Sequence, residues 1–143
     1  MPGYQISFHY LIPVAALRNR SKLKTLLKRL FRAEKKSVNG LSIIFCSDSY
    51  LLKINKKYLS RHYYTDTISF TLSGPLEPIL GEIYISYDRI RENAKIFGSS
   101  IKKELHRVIF HSALHLCGYS DQTPAGRINM SKKEDYWLSL YFG

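Results

Sequence analysis

The feature that most constrains the fold of this chain is a near-continuous apolar run at residues 41–46, LSIIFC. A strand with one face in water alternates apolar and polar residues, whereas a strand buried on both faces does not. The run therefore predicts a central β-strand. The pair Asn39 and Gly40 just before it is typical of a turn.

Strand and helix patterns alternate along the rest of the chain. Strand patterns occur at residues 4–10, 67–72 and 81–86. Apolar periodicity and capping residues predict helices at residues 14–33, 48–58, 88–97, 100–117 and about 131–142. A length of 143 residues suits one domain. We therefore expect a single α+β domain over residues 1–143, with a mixed four-stranded sheet and about five helices.

Charge is the compositional outlier, because 22 Lys and Arg residues against 11 Asp and Glu residues leave a formal net charge of +11. A small domain this basic commonly binds a polyanion, most often nucleic acid, or an anionic membrane surface. The first predicted helix carries the densest cluster of cations, with few acidic partners. Four of them are our candidates for binding RNA phosphates, and a solvated helix face is the alternative: Lys24, Lys28, Arg29 and Arg32.

A second basic segment lies just before the strand pattern at residues 67–72. Its candidates for binding RNA are Lys56, Lys57 and Arg61, with Lys53 in the same cluster. Tyr63 and Tyr64 follow Arg61, and their rings can either stack on unpaired bases or pack within the loop.

The sequence also bears on the cellular compartment. No apolar run approaches the ~20 residues that span a bilayer, and the N-terminus lacks a basic stretch followed by an apolar core. Cys46 and Cys117 both lie in apolar runs, which is typical of buried, reduced thiols. We therefore expect a cytoplasmic protein with no membrane segment.

Two histidines four residues apart, His111 and His115, lie on the predicted helix at residues 100–117. Side chains at i and i+4 leave the same helix face, so both imidazoles can bind one metal ion. Gly118 can end the helix and turn the chain back, which would bring Asp121 to the same ion. Two imidazoles and a carboxylate form a catalytic zinc set with an open fourth position. We predict one zinc ion at the end of this helix, bound by His111, His115 and Asp121.

Other interpretations of these residues remain open. A single histidine on a helix is more often a hydrogen-bonded core residue than a ligand, and Ser120 or Glu134 are alternatives to Asp121 as the third ligand. A zinc peptidase of the H-E-x-x-H type needs a glutamate directly after the first histidine as general base. That position holds Ser112, which disfavours a peptidase.

Residues 111–121 resemble the signature of the YbeY family, H-G-x-L-H-L-x-G-Y-D-H. Residues 55–70 are similar to the family's N-x-x-Y-R-x-x-D-x-P-T-D-V-L-S-F segment, and residues 81–86 to its G-D-I-x-I-S strand. The order and spacing agree over roughly residues 40–138. The resemblance therefore covers most of the chain.

Members of this family are bacterial metal-dependent endoribonucleases that mature ribosomal RNA. The resemblance implies a zinc-dependent, single-strand-specific endoribonuclease that acts in ribosomal RNA processing and ribosome quality control. It also implies an RNA substrate from the ribosomal precursor, with the small ribosomal subunit and assembly factors as partners.

Several positions depart from the family pattern, among them Ser120, where the family has aspartate. Ser112 replaces a glycine, Asp121 replaces the third ligand histidine, and Leu59 replaces an arginine implicated in RNA cleavage. Arg61 is the candidate replacement for that arginine, and we predict Arg61 and His115 as the catalytic residues. Because Leu59 carries no charge, the alternative function is a ribosome-assembly factor with a mainly structural zinc and vestigial cleavage.

Overall fold

The computed structural model describes residues 3–143. Met1 and Pro2 lie outside the described residues, although the predicted domain and the N-terminal stretch discussed above include them. Within residues 3–143, four strands and five helices follow one another. In order they are β1 (Ile6–Tyr10), α1 (Arg20–Ala33), β2 (Val38–Cys46), α2 (Asp48–Leu59), β3 (Thr67–Thr71), β4 (Ile79–Ser86), α3 (Tyr87–Phe97), α4 (Ile101–Leu116) and α5 (Pro124–Phe142).

The four strands form one mixed sheet in the order β1-β2-β4-β3. The pairs β1–β2 and β2–β4 are parallel, and the pair β3–β4 is antiparallel. The apolar strand β2 lies between two neighbours, so the predicted central strand and the predicted α+β fold are both confirmed. The pair Asn39 and Gly40 makes no turn, because both residues lie inside β2, at a register shift against β4.

Helices cover the sheet on both faces, because the side chains of β2 alternate between two apolar clusters. Leu41, Ile43 and Phe45 belong to the main core, which also contains residues of α1, α3, α4 and α5. Cys46 belongs to a smaller cluster with Leu51 and Ile54 of α2 and Ile68 of β3. The helix α4 therefore packs inside the domain, beside the sheet, and its C-terminal end reaches the surface.

The helix α1 begins at Arg20, six residues later than the periodicity predicts. Asn19 caps the helix, since its Oδ1 accepts a hydrogen bond from the Lys22 backbone N–H at 3.2 Å. Val14 and Leu17 are nevertheless buried in the main core. Residues 14–19 therefore bury apolar side chains at a spacing typical of a helix without forming one, which explains why the predicted start of α1 was wrong.

The last helix, α5, begins at Pro124 and not near residue 131 as predicted. Thr123 caps it by accepting a hydrogen bond from the Gly126 N–H at 3.0 Å. Proline suits the first helical turn because its missing N–H would have no partner there. The earlier start places Glu134 in the middle of a helix that packs against α4.

The expectation that both cysteines are buried and unpaired agrees with the structure. Cys46 and Cys117 are free and buried, and burial raises the pKa of both thiols to about 12. Reactive cysteines need an accessible thiolate, so neither thiol is a nucleophile here. No helix within residues 3–143 is long and apolar enough to cross a membrane.

Candidate active site

Helix α4 presents His111 and His115 on one face, with ring centroids 6.4 Å apart. Ser100 fixes the start of this helix, because its Oγ accepts a hydrogen bond from the Lys103 N–H at 3.0 Å. The helix ends at Leu116, and Gly118 follows with φ +102°. Only glycine adopts that backbone conformation easily. The chain therefore turns back past the histidines, as the sequence predicts.

The ring of His115 is oriented by the turn that follows the helix. Its Nδ1 lies 3.0 Å from the carbonyl oxygen of Tyr119. A carbonyl only accepts hydrogen bonds, so Nδ1 carries the proton and Nε2 presents its lone pair. This tautomer is the one in which a histidine binds a metal ion through Nε2.

The ring of His111 is oriented by a carboxylate from α5. His111 Nδ1 donates to Glu134 Oε2 at 2.6 Å, and the Glu134 side chain is only 8% exposed. Arg107 holds the other carboxylate oxygen, with Nη1 donating to Glu134 Oε1 at 3.0 Å, and its Nη2 donates to Asp135 Oδ1 at 2.7 Å. Metal-binding histidines typically donate their second ring N–H to such a carboxylate.

The electrostatic environment of His111 favours a positive charge. Burial acts to lower the pKa of His111, but the hydrogen bond to Glu134 and the nearby negative charges of Glu134, Asp121 and Asp66 raise it overall. Burial also raises the pKa of Asp66 and of Glu104, so these carboxyls take up protons more readily than exposed ones. The acidic groups that favour a cation at the His111 ring are Glu134, Asp121 and Asp66, with Glu134 acting most strongly.

The predicted third ligand, Asp121, lies beside His111 but not at coordination distance. Asp121 Oδ2 is 3.5 Å from His111 Nε2, and its side chain is 44% exposed. Zinc–oxygen and zinc–nitrogen bonds measure about 2.0–2.2 Å. Within the described residues, no three His, Cys, Asp or Glu side chains form a ready-made metal cluster. The three predicted ligands match zinc in donor type and the histidines match it in tautomer, but their assembly around one ion stays a prediction.

Ser112, which follows the first histidine, is fully buried and has a structural role. Its Oγ donates to the Val108 carbonyl oxygen at 2.8 Å and lies 2.9 Å from Thr67 Oγ1. The hydroxyl thus ties α4 to β3. It offers no carboxylate to activate water, in keeping with the argument against a peptidase.

A cavity of about 240 Å³ lies beside His115. Arg61 reaches it from the loop after α2, where Ser60 adopts φ 54° and the Arg61 N–H donates to the Asn55 carbonyl oxygen at 3.1 Å. The structure therefore brings the two predicted catalytic residues, Arg61 and His115, to one cavity. Its complete lining is Asn55, Leu59, Arg61, Tyr63, Thr65, Thr67, Ile68, Ser69 and His115.

The other predicted RNA-binding cations are exposed, but none of them lines this cavity. Lys24 and Lys28 of α1 lie over the rings of Phe8 and Tyr4, at 5.7 and 5.2 Å from the ring centroids. They flank a separate cavity of about 520 Å³ along the edge strand β1. Arg29, Arg32, Lys56 and Lys57 are exposed on their helices. The chain therefore has basic surfaces both near the histidines and away from them.

Sequence reasoning named Glu134 only as an alternative ligand and missed Arg107 altogether. The two residues are 27 positions apart, and they meet because α4 and α5 pack against each other. No spacing rule within one helix connects them. The signal that points to such a contact is an acid at the spacing of the residues that α5 buries, since Glu134 lies four residues after Met130 and four before Leu138.

Comparison with known proteins identifies the family. The family profile described as Endoribonuclease YbeY matches residues 12–141. Similar proteins, each described as Endoribonuclease YbeY, occur in Cytophaga hutchinsonii, with 46% identity over 87% of both chains, and in Flavobacterium psychrophilum, with 42% identity over 95% of this chain and 96% of the relative. The solution structure of TM1509 from Thermotoga maritima has the same fold, with a TM-score of 0.63 and 24% identity over 97% of this chain and 90% of that one. The chain belongs to the YbeY family.

Proposed function

We propose that this protein is a zinc-dependent, single-strand-specific endoribonuclease that acts in ribosomal RNA maturation and ribosome quality control. One observation carries the proposal. His111 and His115 lie on one helix face, and the Nδ1 of each is already hydrogen-bonded, to Glu134 and to the Tyr119 carbonyl. His115 also lines a cavity together with Arg61. The relatives described as endoribonucleases support the assignment of RNA as substrate.

In this proposal His111, His115 and Asp121 hold the zinc ion. When bound, zinc supplies a Lewis acid that polarises a phosphoryl oxygen and activates water. Glu134 and the Tyr119 carbonyl keep both rings in the tautomer that binds metal. The guanidinium of Arg61 binds the phosphate next to the scissile bond, because a guanidinium matches phosphate oxygens in charge and geometry.

The basic surfaces bind the flanking RNA. In this proposal the exposed cations of α1 and those of α2 contact phosphates through charge, without reading the sequence. The proposed partners are precursor ribosomal RNA, the small ribosomal subunit and its assembly factors, in the cytoplasm. The net charge of +11 supports binding to such polyanionic particles.

An assembly factor with a mainly structural zinc is the second candidate. The observation that favours it is Leu59, which lines the cavity beside His115 and supplies no charge there. If Arg61 does not take over phosphate binding, the protein would bind RNA and zinc and cleave poorly.

The proposal is tested by incubating zinc-loaded protein with single-stranded and duplex RNA and resolving the products on a gel. We expect cleavage of the single-stranded RNA, and loss of that cleavage in His115→Ala. The matched control is His62→Ala, since His62 is exposed on the loop near the cavity but does not line it. RNA binding without cleavage would favour the assembly factor. Cleavage by His115→Ala at the parental rate would refute the site.

A further inference from the structure

The cavity beside His115 is small. At about 240 Å³ it lies below the roughly 300–1,000 Å³ of pockets that take drug-sized ligands. A space of that size admits one flat heterocycle and excludes a base pair. His115 and Arg61 both line the cavity. A base bound inside it would therefore belong to a nucleotide close to the proposed scissile phosphate.

The lining of the cavity combines apolar walls with hydroxyl groups. Leu59 and Ile68 supply apolar surface, and Tyr63 supplies an aromatic ring. Thr65, Thr67 and Ser69 add side chains that carry hydroxyls. Apolar faces with a few polar groups suit a nucleobase, which is apolar on its faces and polar at its edge.

The two neighbouring tyrosines have different environments, although they are equally exposed at 54% and 53%. Tyr63 lines the cavity. Tyr64 does not, and its ring centroid lies 5.4 Å from the Arg89 guanidinium carbon. Of the two rings, Tyr63 is therefore the one available for stacking at the cavity, while Tyr64 lies against Arg89.

The loop that carries Tyr63 is held in place by Asn55, which is only 1% exposed. Asn55 Nδ2 donates to the Tyr63 carbonyl oxygen at 2.9 Å, and the Asn55 carbonyl oxygen accepts from the Arg61 N–H at 3.1 Å. One buried residue, through its side-chain amide and its backbone carbonyl, thus fixes the backbone at both Tyr63 and Arg61. A ligand that enters the cavity does not have to order this part of the loop, which favours binding.

We propose that this cavity binds a single unpaired nucleobase of the RNA, stacked on Tyr63, while Arg61 contacts the neighbouring phosphate. The inference rests on the proposed endoribonuclease function and adds to it a physical cause for single-strand specificity. A base within a duplex stays stacked and paired, so only an unpaired base reaches the pocket without the cost of unstacking.

The test uses two fluorescent 2′-O-methyl octanucleotides of equal length, one with bases and one in which every base is replaced by hydrogen. Both carry the same phosphates, so the difference in their affinities reports contacts to bases. Binding to zinc-loaded protein is followed by fluorescence anisotropy. Loss of base–aromatic stacking corresponds to an affinity loss of about 5- to 150-fold. We expect Tyr63→Ala to lose that much for the octamer with bases and nothing for the abasic one.

Two matched variants complete the experiment. Tyr64→Ala removes an equally exposed ring outside the cavity and should leave both affinities unchanged, whereas Tyr63→Phe keeps the ring and should retain binding of the octamer with bases. Three outcomes would overturn the base pocket alone. They are an equal loss of affinity for both octamers in Tyr63→Ala, no loss of affinity in Tyr63→Ala, and equal affinity of the parent protein for both octamers. If the parent protein binds neither octamer, the proposed function itself fails.

Discussion

Glu134 Oε2 lies 2.6 Å from His111 Nδ1, so the last helix of the domain orients a side chain on the central helix α4. The other oxygen of Glu134 accepts from Arg107 at 3.0 Å, which keeps the carboxylate from rotating. The other ring nitrogen, His111 Nε2, then lies 3.5 Å from Asp121 Oδ2. Packing of α5 on α4 therefore sets the chemistry of the candidate site.

Replacing Glu134 by Gln should weaken zinc binding about 10- to 100-fold, because a neutral amide holds the His111 N–H less firmly and makes the ring less basic. Competition with a chromogenic chelator measures the affinity. Asp135→Asn is the matched control, since Asp135 binds the same arginine at 2.7 Å but does not contact His111. Equal zinc affinity in Glu134→Gln and the parent would show that Glu134 does not support a metal ligand.

Replacing Asp121 by Ala should also weaken zinc binding, because only two protein ligands would remain. Asp121→His should restore affinity at least in part, since imidazole is an equally competent zinc ligand. The chelator competition applies again. If Asp121→Ala retains the parental affinity, Asp121 is not a ligand, and the 3.5 Å contact with His111 is an ion pair only.

Binding to single-stranded RNA should depend strongly on salt, with a log–log slope of about 0.7 per phosphate contact. Changing the four α1 cations to Glu should flatten that slope, whereas the thermal melt should stay nearly unchanged because the apolar stripe of α1 faces the core. The four positions are Lys24, Lys28, Arg29 and Arg32. An unchanged slope would move the RNA surface to the second basic cluster at Lys53, Lys56, Lys57 and Arg61.

Stability should fall as the pH drops from about 6.5 to about 4, because of a buried histidine. His106 is fully buried, and burial lowers its pKa from 6.5 to about 4. In the unfolded chain His106 binds a proton near pH 6.5, whereas in the folded chain it stays neutral until about pH 4. His106 therefore contributes stability that is present above pH 6.5 and lost within this window, up to about 3 kcal/mol.

His106→Phe keeps a ring against Tyr141, whose centroid lies 4.1 Å away, and removes the titration. Urea unfolding at pH 7 and pH 4 should show a smaller loss of stability for His106→Phe than for the parent. His62→Gln, at an exposed position, should lose as much stability as the parent. The same loss in all three proteins would mean that His106 does not cause the pH dependence.

Local patterns predicted much of this fold. The apolar run at residues 41–46 correctly marked the central strand, and the pair His111 and His115 with Gly118 correctly marked a helix end that turns back. The predicted start of α1 was wrong because Val14 and Leu17 are buried in a segment that is not helical. The turn predicted at Asn39 and Gly40 was wrong because pairing of β2 with its neighbours overrides a local turn preference.

Contacts between distant segments could not be predicted in the same way. The hydrogen bond between His111 and Glu134 depends on how two helices pack, which no periodicity within either helix specifies. The separate environments of Tyr63 and Tyr64 likewise depend on Arg89, which belongs to α3. Tertiary packing therefore supplied the orienting residues of the site, whereas the sequence supplied its candidate ligands.

The most direct test of the account is to titrate zinc into chelator-stripped protein while measuring both bound zinc, by plasma emission spectrometry, and cleavage of single-stranded RNA. Cleavage should be absent without metal and should rise in proportion to bound zinc until each chain holds a single ion. His111→Ala and His115→Ala should neither hold stoichiometric zinc nor cleave. Full cleavage by the stripped protein, or either variant as zinc-loaded as the parent, would contradict the account.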